Sequence, residues 1–389
     1  MDSLPNFNSG VKRGRHITKS RIYWGIEINL FLRQVVCAEN RTVFFVDKSF
    51  DLVGTLGFYQ DSDTIVVKSE PSRKQLQKIL NQFDEAPLNI VAIGGGSTID
   101  LAKAFTCARK FRTAQRIGYG PLESTNSDFS PREDILVAIP TTLGSGSESS
   151  RYFVLFEDDG RKLPSRSWQA IPDFVLLYPA LLRYLDSDTA IYQLFDAYIH
   201  SVEVASSVHE GFIPTVATSI ALARQFEDWL TSSNFSPVID DSSILELQLL
   251  SSLTGQCISN TRTGLLHTFG EILSEFFQIN HVTSLALCGV NFNQFLGTQT
   301  RYVDSPIMAS MRKSLRNNWE FISIYSQRVL AIDKSLVLLK TSLPSADYLV
   351  HKLLTDRVLW TKEFPFKVTE KEIVSYVNLT YELLRKKVN

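Results

Sequence analysis

A short apolar run that ends in three consecutive glycines constrains this chain more than any other feature. Residues 89–93 read Asn-Ile-Val-Ala-Ile, which is typical of a strand buried on both faces of a parallel sheet. The glycines at 94–96 lack Cβ atoms, so the backbone can turn tightly and a bulky group can come close. Ser97 is then predicted as the N-cap of a helix over Thr98–Arg109. Because a helix start offers free N–H groups, this stretch predicts a phosphate-binding turn.

The glycine turn is not diagnostic by itself. Its spacing matches neither the GxGxxG pattern nor a Walker A loop. A turn that only joins a strand to a helix is therefore an open alternative at this point.

The chain around the turn alternates between predicted strands and helices. Such alternation is typical of an α/β fold with a parallel sheet that binds ligands at the carboxyl ends of its strands. The predicted strands are Arg21–Ile28, Thr42–Asp47, Thr64–Lys68, Ile90–Ile93 and Ile135–Pro140, and Arg73–Phe83 is a predicted helix. We therefore expect an N-terminal α/β domain with a Rossmann-like parallel sheet.

After about residue 179 the apolar residues follow helical spacing instead. The predicted helices are Leu185–Ser207, Phe212–Ser232, Ser242–Cys257, Thr263–Phe277, Ser284–Leu296, Ser310–Arg316, Ser345–Leu354 and Glu370–Lys387. We expect a loose lead-in over residues 1–20, an α/β domain over 21–182 and an all-α domain over 183–389.

Composition excludes several classes of partner. The formal net charge is -1 and no basic block is present, which argues against nucleic acid. No apolar run is long enough to span a bilayer and no signal peptide is visible, so no membrane partner is expected. The four cysteines lie far apart without a CxxC pair, which indicates reduced thiols in a cytoplasmic protein.

One carboxylate and three imidazoles form a candidate metal site in the helical half. Asp196 and His200 lie four residues apart in a segment of helical pattern, so both side chains share one helix face. His267 and His281 follow in two later segments, and the chain has only six histidines. One carboxylate oxygen and three imidazole nitrogens suit a divalent transition metal such as iron(II) or zinc.

Simpler interpretations of these residues stay open. An Asp–His pair at this spacing is more often a solvated pair on a helix surface. His267, beside two leucines, also fits a hydrogen-bonded core histidine, and Glu203 is expected at the surface or behind a ligand. The spacing alone does not decide between these interpretations and a metal site.

Four segments taken together resemble the iron-containing (group III) alcohol dehydrogenase family. Residues 94–103, GGGSTIDLAK, resemble its GGGSxxDxAK signature, and residues 140–148, PTTLGSGSE, resemble its PTTxGTGSE. Residues 196–200, DAYIH, resemble its DAxxH, and His267 and His281 match its two later histidine ligands in order and spacing. The resemblance implies an α/β domain followed by a helical domain, with a catalytic metal on Asp196, His200, His267 and His281.

The resemblance also implies an NAD cofactor. Its pyrophosphate would lie on the glycine turn, and the residues that line this cleft would be Gly94, Gly95, Gly96, Ser97, Asp100, Thr141, Thr142 and Ser145. Lys162 matches a lysine that reaches the cofactor. Asp47 matches an acid that accepts from the ribose 2′-hydroxyl and repels a 2′-phosphate, so NAD is expected over NADP. A small-molecule substrate and a homodimer are further expectations.

Some residues depart from the family pattern. Leu194 and Tyr178 replace a usual glycine and a usual aspartate, Glu271 replaces a histidine near the first later ligand, and Val282 replaces a glycine. None of these departures removes a metal ligand. They concern the substrate pocket, and they make a simple short-chain alcohol an unexpected substrate.

The branch that the chain most resembles is the 3-deoxy-manno-octulosonate 8-oxidase-like one, through segments 148–151, 161–163 and 196–203. It implies hydride transfer between NAD(H) and a primary alcohol or aldehyde of a polar, anionic substrate. Arg151 and Arg262 are then candidate partners of the anion, although a salt-bridged surface arginine fits Arg151 equally well.

Two alternatives to this activity stay open. One is a phosphonoacetaldehyde reductase-like enzyme or a general alcohol dehydrogenase. The other is a dehydroquinate synthase-like sugar phosphate cyclase, which shares the architecture but typically has glutamate as its first metal ligand.

Overall fold

The structure is a computed structural model. It describes residues 19–48, 63–67, 70–111, 120–121, 132–158, 160–206, 213–231, 239–261, 263–277, 279–292, 318–333, 344–355 and 370–388. The lead-in predicted over residues 1–20 lies almost entirely outside these described residues.

A six-stranded parallel sheet forms the first half of the described chain. Together with a smaller sheet, the described residues form nine strands: β1 (Arg21–Tyr23), β2 (Arg41–Asp47), β3 (Asp63–Val67), β4 (Leu88–Gly94), β5 (Gly120–Pro121), β6 (Ile135–Pro140), β7 (Tyr152–Phe156), β8 (Lys162–Arg166) and β9 (Phe174–Leu176). The large sheet has the order β1-β9-β6-β4-β2-β3, and its neighbouring strands all run parallel. The remaining strands form a small sheet of order β5-β8-β7.

Helices cover both faces of the large sheet. They are α1 (Ile28–Val35), α2 (Arg73–Leu80) and α3 (Gly96–Phe111). Strand β4 is buried along its whole length, as its unbroken apolar run predicts. Its residues alternate between faces, since Ile90 and Ala92 pack in the core with α2 and α3, while Val91 and Ile93 pack in the core with α1.

The second half is helical. Its described helices are α4 (Ser187–Ala205), α5 (Ile213–Thr231), α6 (Asp241–Asn260), α7 (Leu265–Phe277), α8 (His281–Gly289), α9 (Asn318–Ile332), α10 (Ala346–Thr355) and α11 (Glu370–Val388). Helix α4 packs against α5, α6, α8 and α9, and every residue from Leu194 to Ala205 is buried. Polar side chains on this stretch therefore need partners inside the protein.

The predicted α/β sheet and the helical second half are confirmed, with corrections at element ends. The strand predicted over Arg21–Ile28 is wrong beyond Tyr23, because Gly25 takes a left-handed conformation (φ 68°) and α1 begins at Ile28. Helix α3 begins at Gly96, so Ser97 lies in its first turn and is not the N-cap. The helix predicted over Ser310–Arg316 lies outside the described residues.

The chain changes from strands to helices around the predicted domain boundary. Strand β9 ends at Leu176 and α4 begins at Ser187, and the boundary at residue 182 itself stays a prediction. Within the described residues, no helix has the length and apolar character needed to span a bilayer.

Candidate metal and cofactor site

Three imidazoles, from three helices, converge on one carboxylate oxygen, that of Asp196. Helix α4 presents Asp196 and His200 one turn apart, α7 presents His267, and His281 is the first residue of α8. The distances to Asp196 Oδ1 are 3.6 Å from His200 Nδ1, 3.2 Å from His267 Nε2 and 3.6 Å from His281 Nε2. The structure therefore brings together all four predicted metal ligands.

This arrangement fits a divalent transition metal. Four ligands at about 2.1 Å from a tetrahedral centre lie about 3.4 Å from one another. This separation is close to the 3.2–3.6 Å between Asp196 Oδ1 and the three imidazole nitrogens. The candidate ligand atoms of Asp196, His200 and His267 all lie within 4.8 Å of one another. His200 Nδ1 is buried without a hydrogen-bond partner among the described residues, which is costly unless another group binds there.

The alternative of a solvated Asp196–His200 pair is wrong, because each of these residues is only 8% exposed. His267 is hydrogen-bonded in the core, as its simpler interpretation required, but the same ring also faces Asp196. The His200 and His267 rings stack with their centres 4.0 Å apart.

Glu203 holds His267 from behind, a contact that the sequence interpretation left undecided. Its carboxylate accepts from His267 Nδ1 at 2.6 Å and from the backbone N–H groups of Gly264 and Leu266, each at 2.7 Å. Glu203 lies three residues after His200, so it shares a helix face with the ligands. A carboxylate in this place fixes the ring orientation of a metal-binding histidine and raises its basicity.

The electrostatics of the cluster are set by burial and by these two acids. Burial works to raise the pKa of Asp196, but the neighbouring histidines, His200 first, bring it below the usual range. Burial lowers the pKa of His200 to about 4, so its imidazole is neutral at pH 7. Burial also works to lower the pKa of His267, yet Glu203 and Asp196 raise it to about 10.

A cleft of about 410 Å³ joins this cluster to the glycine turn. It lies between the sheet domain and the helices, and its lining includes Gly96, Ser97, Lys162, His200, His267 and His281. His281 is the most open of the four candidate ligands, with a side chain that is 32% exposed. A molecule in this cleft can touch the turn and the candidate metal ligands at once.

The glycine turn fits a phosphate-bearing cofactor. A Cβ on Gly95 would lie 3.0 Å from the side chain of Thr142, and one on Gly96 would lie 3.3 Å from that of Ser145, so larger residues would crowd this wall. The first-turn N–H groups of a helix lack partners within the helix, and Gly96 and Ser97 at the start of α3 line the cleft. Thr141 N–H donates to Gly94 O at 3.1 Å, which ties the two motifs together.

Two glycines of the second motif hold it against the helical domain. Gly144 (φ 93°) lies so close to α4 that a Cβ would meet Gln193 O at 2.0 Å. Gly146 (φ 59°) packs on Gly255 of α6, whose own Cβ would lie 2.1 Å from Gly146 O. These contacts need glycine at three positions, and they fix the motif at the junction of the domains.

The other predicted cofactor residues differ in their relation to the cleft, whose lining does not include Gly94, Gly95, Thr141 and Thr142. Asp100 and Ser145 line the cleft, as does Lys162, whose Nζ donates to Ser274 Oγ at 3.1 Å. Asp47 ends β2, whose register pairs Val46 with Ile93, so its backbone lies next to the glycine turn at the carboxyl edge of the sheet.

The two candidate anion partners gain less support. The Arg151 guanidinium lies 4.4 Å from the centre of the Trp168 ring and 5.3 Å from that of Tyr152, and Arg151 is not part of the cleft lining. Its contact with the cleft is indirect, because the hydroxyl of the lining residue Tyr152 accepts from Arg151 at 3.4 Å. Arg262 lies outside the described residues.

The four departures from the family pattern differ in their relation to the cleft. Glu271 lines it, one turn after His267. Leu194 and Val282 are buried in the helical core. The Tyr178 hydroxyl donates to Glu27 at 2.8 Å, and neither residue lines the cleft.

Comparison with known proteins gives one family match and several relatives. The sequence model of the family "iron-containing alcohol dehydrogenase" matches residues 60–179. The 4-hydroxybutyrate dehydrogenase of Cupriavidus necator is 33% identical over 136 residues, which cover 35% of this chain and 35% of that protein. The alcohol dehydrogenase of Thermococcus barophilus is 27% identical over 268 residues, which cover 64% of this chain and 68% of that protein. The chain thus spans between about a third and two thirds of these relatives.

Solved structures show the same fold. Sulfoacetaldehyde reductase from Bifidobacterium kashiwanohense in complex with NAD+ superposes with a TM-score of 0.74 at 17% identity, covering 95% of this chain and 99% of that one. The iron-containing alcohol dehydrogenase from Thermococcus thioreducens superposes with a TM-score of 0.70 at 20% identity, covering 95% and 100%.

Proposed function

We propose that the chain is a member of the iron-containing alcohol dehydrogenase family and that it transfers a hydride between NAD(H) and a primary alcohol or aldehyde. The match of the family's sequence model to residues 60–179 supports this assignment. The observation that carries this proposal is the cleft that is lined at once by the end of the glycine turn, Gly96 and Ser97, and by His200, His267 and His281. A dinucleotide held on the turn can extend its nicotinamide toward a substrate oxygen at the metal ligands. The cofactors proposed are therefore NAD and iron(II) or zinc.

Two groups of residues would have separate roles, one binding the metal ion and the other binding the dinucleotide. Asp196, His200, His267 and His281 would bind the metal, which supplies Lewis-acid polarisation of an alcohol or aldehyde oxygen. The first turn of α3 would bind the pyrophosphate, and Lys162 would contact the cofactor from the opposite wall.

The reaction itself needs only positioning from the rest of the cleft. In the oxidation direction the substrate carbon gives a hydride to C4 of the nicotinamide, and the hydroxyl proton leaves to water. The cleft walls hold the two carbons together and exclude bulk water from the transfer.

A polar, anionic substrate is the finer part of the proposal. The names of two relatives, 4-hydroxybutyrate dehydrogenase and sulfoacetaldehyde reductase, denote substrates that join a terminal alcohol or aldehyde to an acidic group. The resemblance to the 3-deoxy-manno-octulosonate 8-oxidase-like branch supports the same class. We keep Arg151 as a candidate anion partner because it contacts Tyr152 on the cleft wall, and Arg262 because it follows Thr261, whose carbonyl accepts from the same tyrosine.

We expect the metal-loaded enzyme to prefer acidic substrates over neutral ones. The test is a panel of alcohols and aldehydes with and without a carboxylate, sulfonate or phosphonate, followed by NADH absorbance. Arg151→Ala and Arg262→Ala should each lower kcat/KM for acidic members by about ten- to a hundredfold, since a lost charge-assisted bond costs about 1.5–3 kcal/mol. Turnover of neutral members should change little.

Arg224→Ala is the matched control, because Arg224 lies exposed on α5 away from the cleft. It should behave as the wild type on every substrate. A preference for ethanol, propanediol or butanol over all acidic members would contradict an anionic substrate. It would favour the alternative of a general alcohol dehydrogenase.

NADH is expected to be the preferred cofactor. Asp47 at the end of β2 would accept from a ribose 2′-hydroxyl and repel a 2′-phosphate. Asp47→Gly should shift the ratio of kcat/KM values toward NADPH by about tenfold or more, which corresponds to about 1.4 kcal/mol. Glu39→Gly, an exposed acid just before the other end of β2, should leave the ratio unchanged. A wild type that prefers NADPH would show that Asp47 does not bind the ribose.

A cytoplasmic location is proposed because Cys37, Cys107, Cys257 and Cys288 form no disulfide bond. The homodimer expected from the sequence stays a prediction.

A further inference from the structure

Lys103 on α3 is a buried cation to which the activity above gives no task. Its side chain is fully buried, although lysine is almost never fully buried unless it is paired. The ammonium donates to Tyr152 O at 2.8 Å and to Ser147 Oγ at 2.9 Å, with Ser150 Oγ at 3.4 Å. Asp100 Oδ1 lies 3.9 Å from it.

All of these partners belong to the wall of the cleft, while Lys103 does not. Ser147, Ser150, Tyr152 and Asp100 line the cleft. Ser147 also donates to Asp100 Oδ1 at 2.5 Å, and the other oxygen of Asp100 accepts from Val154 N–H at 2.8 Å. The Lys103 ammonium, which lies on α3, therefore connects this helix to the PTTLGSGSE segment (residues 140–148) and to strand β7, just behind the cleft wall.

Helical spacing connects this network to the glycine turn. Gly96, Asp100 and Lys103 are related by steps of four and three residues, so they lie along one face of α3. Lys103 is two turns from the start of the helix, about 10 Å along its axis. A shift of the ammonium would therefore move the residues of the cleft wall next to the glycine turn.

The charge on Lys103 is maintained inside the protein. Burial lowers its pKa to about 8, and Asp100 and Glu148 oppose that fall. At neutral pH most molecules thus carry the ammonium, which can donate three hydrogen bonds and hold three acceptors in a fixed arrangement.

We infer that Lys103 is a positioning residue for the dinucleotide cofactor. It acts through Ser147, Ser150 and the backbone of Tyr152, which it holds in the shape that accepts the cofactor, and it does not touch the cofactor itself. This inference rests on the proposed function, because it assumes that the cleft binds NAD(H).

The test measures NADH binding directly, by fluorescence titration of the full-length, metal-loaded protein. Lys103→Met keeps the unbranched shape and most of the length of the side chain and removes the ammonium. It should weaken NADH binding by about ten- to a hundredfold, because the three acceptors in the cleft wall lose the cation that holds them in place before the cofactor binds. Metal content should stay at the wild-type level, and in turnover KM for NADH should rise much more than kcat falls.

Leu101→Ala is the control for a purely structural effect. Leu101 is fully buried on the same helix, in the core against the sheet and away from the cleft. It should lower Tm while leaving the Kd for NADH within about twofold of the wild type, since the change lies outside the site. If Lys103→Met does not fold, Lys103→Gln, which keeps a neutral donor, takes its place and should also raise the Kd.

The outcomes separate this inference from the proposed function. A wild type that binds neither NADH nor NADPH would contradict the proposed function and this inference together. A wild type that binds NADH, beside a folded Lys103 variant with the same Kd and only a lower Tm, would overturn the positioning role alone.

Discussion

His267→Ala is expected to empty the metal site while leaving the fold in place. His267 Nε2 lies 3.2 Å from Asp196 Oδ1, and the ring sits between the acid ligand and Glu203. A four-ligand site contributes about 10–16 kcal/mol of metal binding, so the loss of one ligand should cost about 2.5–4 kcal/mol, roughly a hundred- to a thousandfold in affinity. Elemental analysis after dialysis against a weak chelator measures the loss.

Two further variants make this expectation specific. His281→Ala removes a ligand whose side chain is 32% exposed, so it disturbs packing less and should still deplete the metal. His351→Ala changes an exposed histidine on α10 and should keep full occupancy. Full metal content in both ligand variants, with unchanged circular dichroism, would show that the metal is not bound by Asp196, His200, His267 and His281.

The convergence of Asp196 and His200 could be predicted from the sequence because the two residues lie on one helix. Asp196 and His200 are one turn apart, and this spacing already places both groups on a common face. His267 and His281 were candidates from the sequence, but only the family resemblance grouped them with Asp196 and His200, because spacing cannot show which other helices approach α4. The structure supplies that information, with the start of α7 and the first residue of α8 both facing Asp196.

Glu203 shows what the spacing could and could not reveal. Its position three residues after His200 was visible, and an acid on a ligand face is a signal for a supporting role. Whether it faced water or another helix depended on the start of α7, whose N–H groups it caps. Only the tertiary fold decides that question.

The errors in the fold have similar causes. Helix α1 buries Ile28, Phe31, Leu32 and Val35, an i, i+3, i+4, i+7 pattern that was present in the sequence but was hidden by the apolar strand that precedes it. The β7–β8 hairpin was missed because Pro164 lies within β8, and proline argues against a strand unless that strand is at an edge or lacks a ladder bond there. The close contact of Gly144 with Gln193 joins two domains, so no local pattern encodes it.

Glu203→Gln is expected to weaken metal binding by about ten- to a hundredfold, the usual effect of removing an acid that supports a ligating histidine. The amide keeps the size of the side chain, but its single oxygen can replace only one of the two carboxylate oxygens. It can therefore accept from the N–H group of Gly264 or from that of Leu266, and not from both. It removes the negative charge 2.6 Å from His267 Nδ1. The buried imidazole is then a poorer electron donor and is held less firmly.

The dependence of metal affinity on pH identifies this charge as the cause. Glu203 and Asp196 raise the pKa of His267 to about 10, against the opposing effect of burial, so the metal-free protein carries a proton on this ring at neutral pH. Binding at Nε2 must release that proton. Affinity for zinc or cobalt should therefore rise by about tenfold per pH unit between pH 7 and 9, where an unperturbed histidine of pKa about 6.5 would give a flat profile.

Competition with a chelator of known proton affinity measures this slope. Removing the charge in Glu203→Gln lowers the pKa of His267, so the slope of the variant should flatten over the same interval. Glu246→Gln, on the exposed side of α6, should keep the wild-type slope. A wild-type affinity that does not change between pH 7 and 9 would show that His267 is already neutral there, and that Glu203 orients the ring without holding a proton on it.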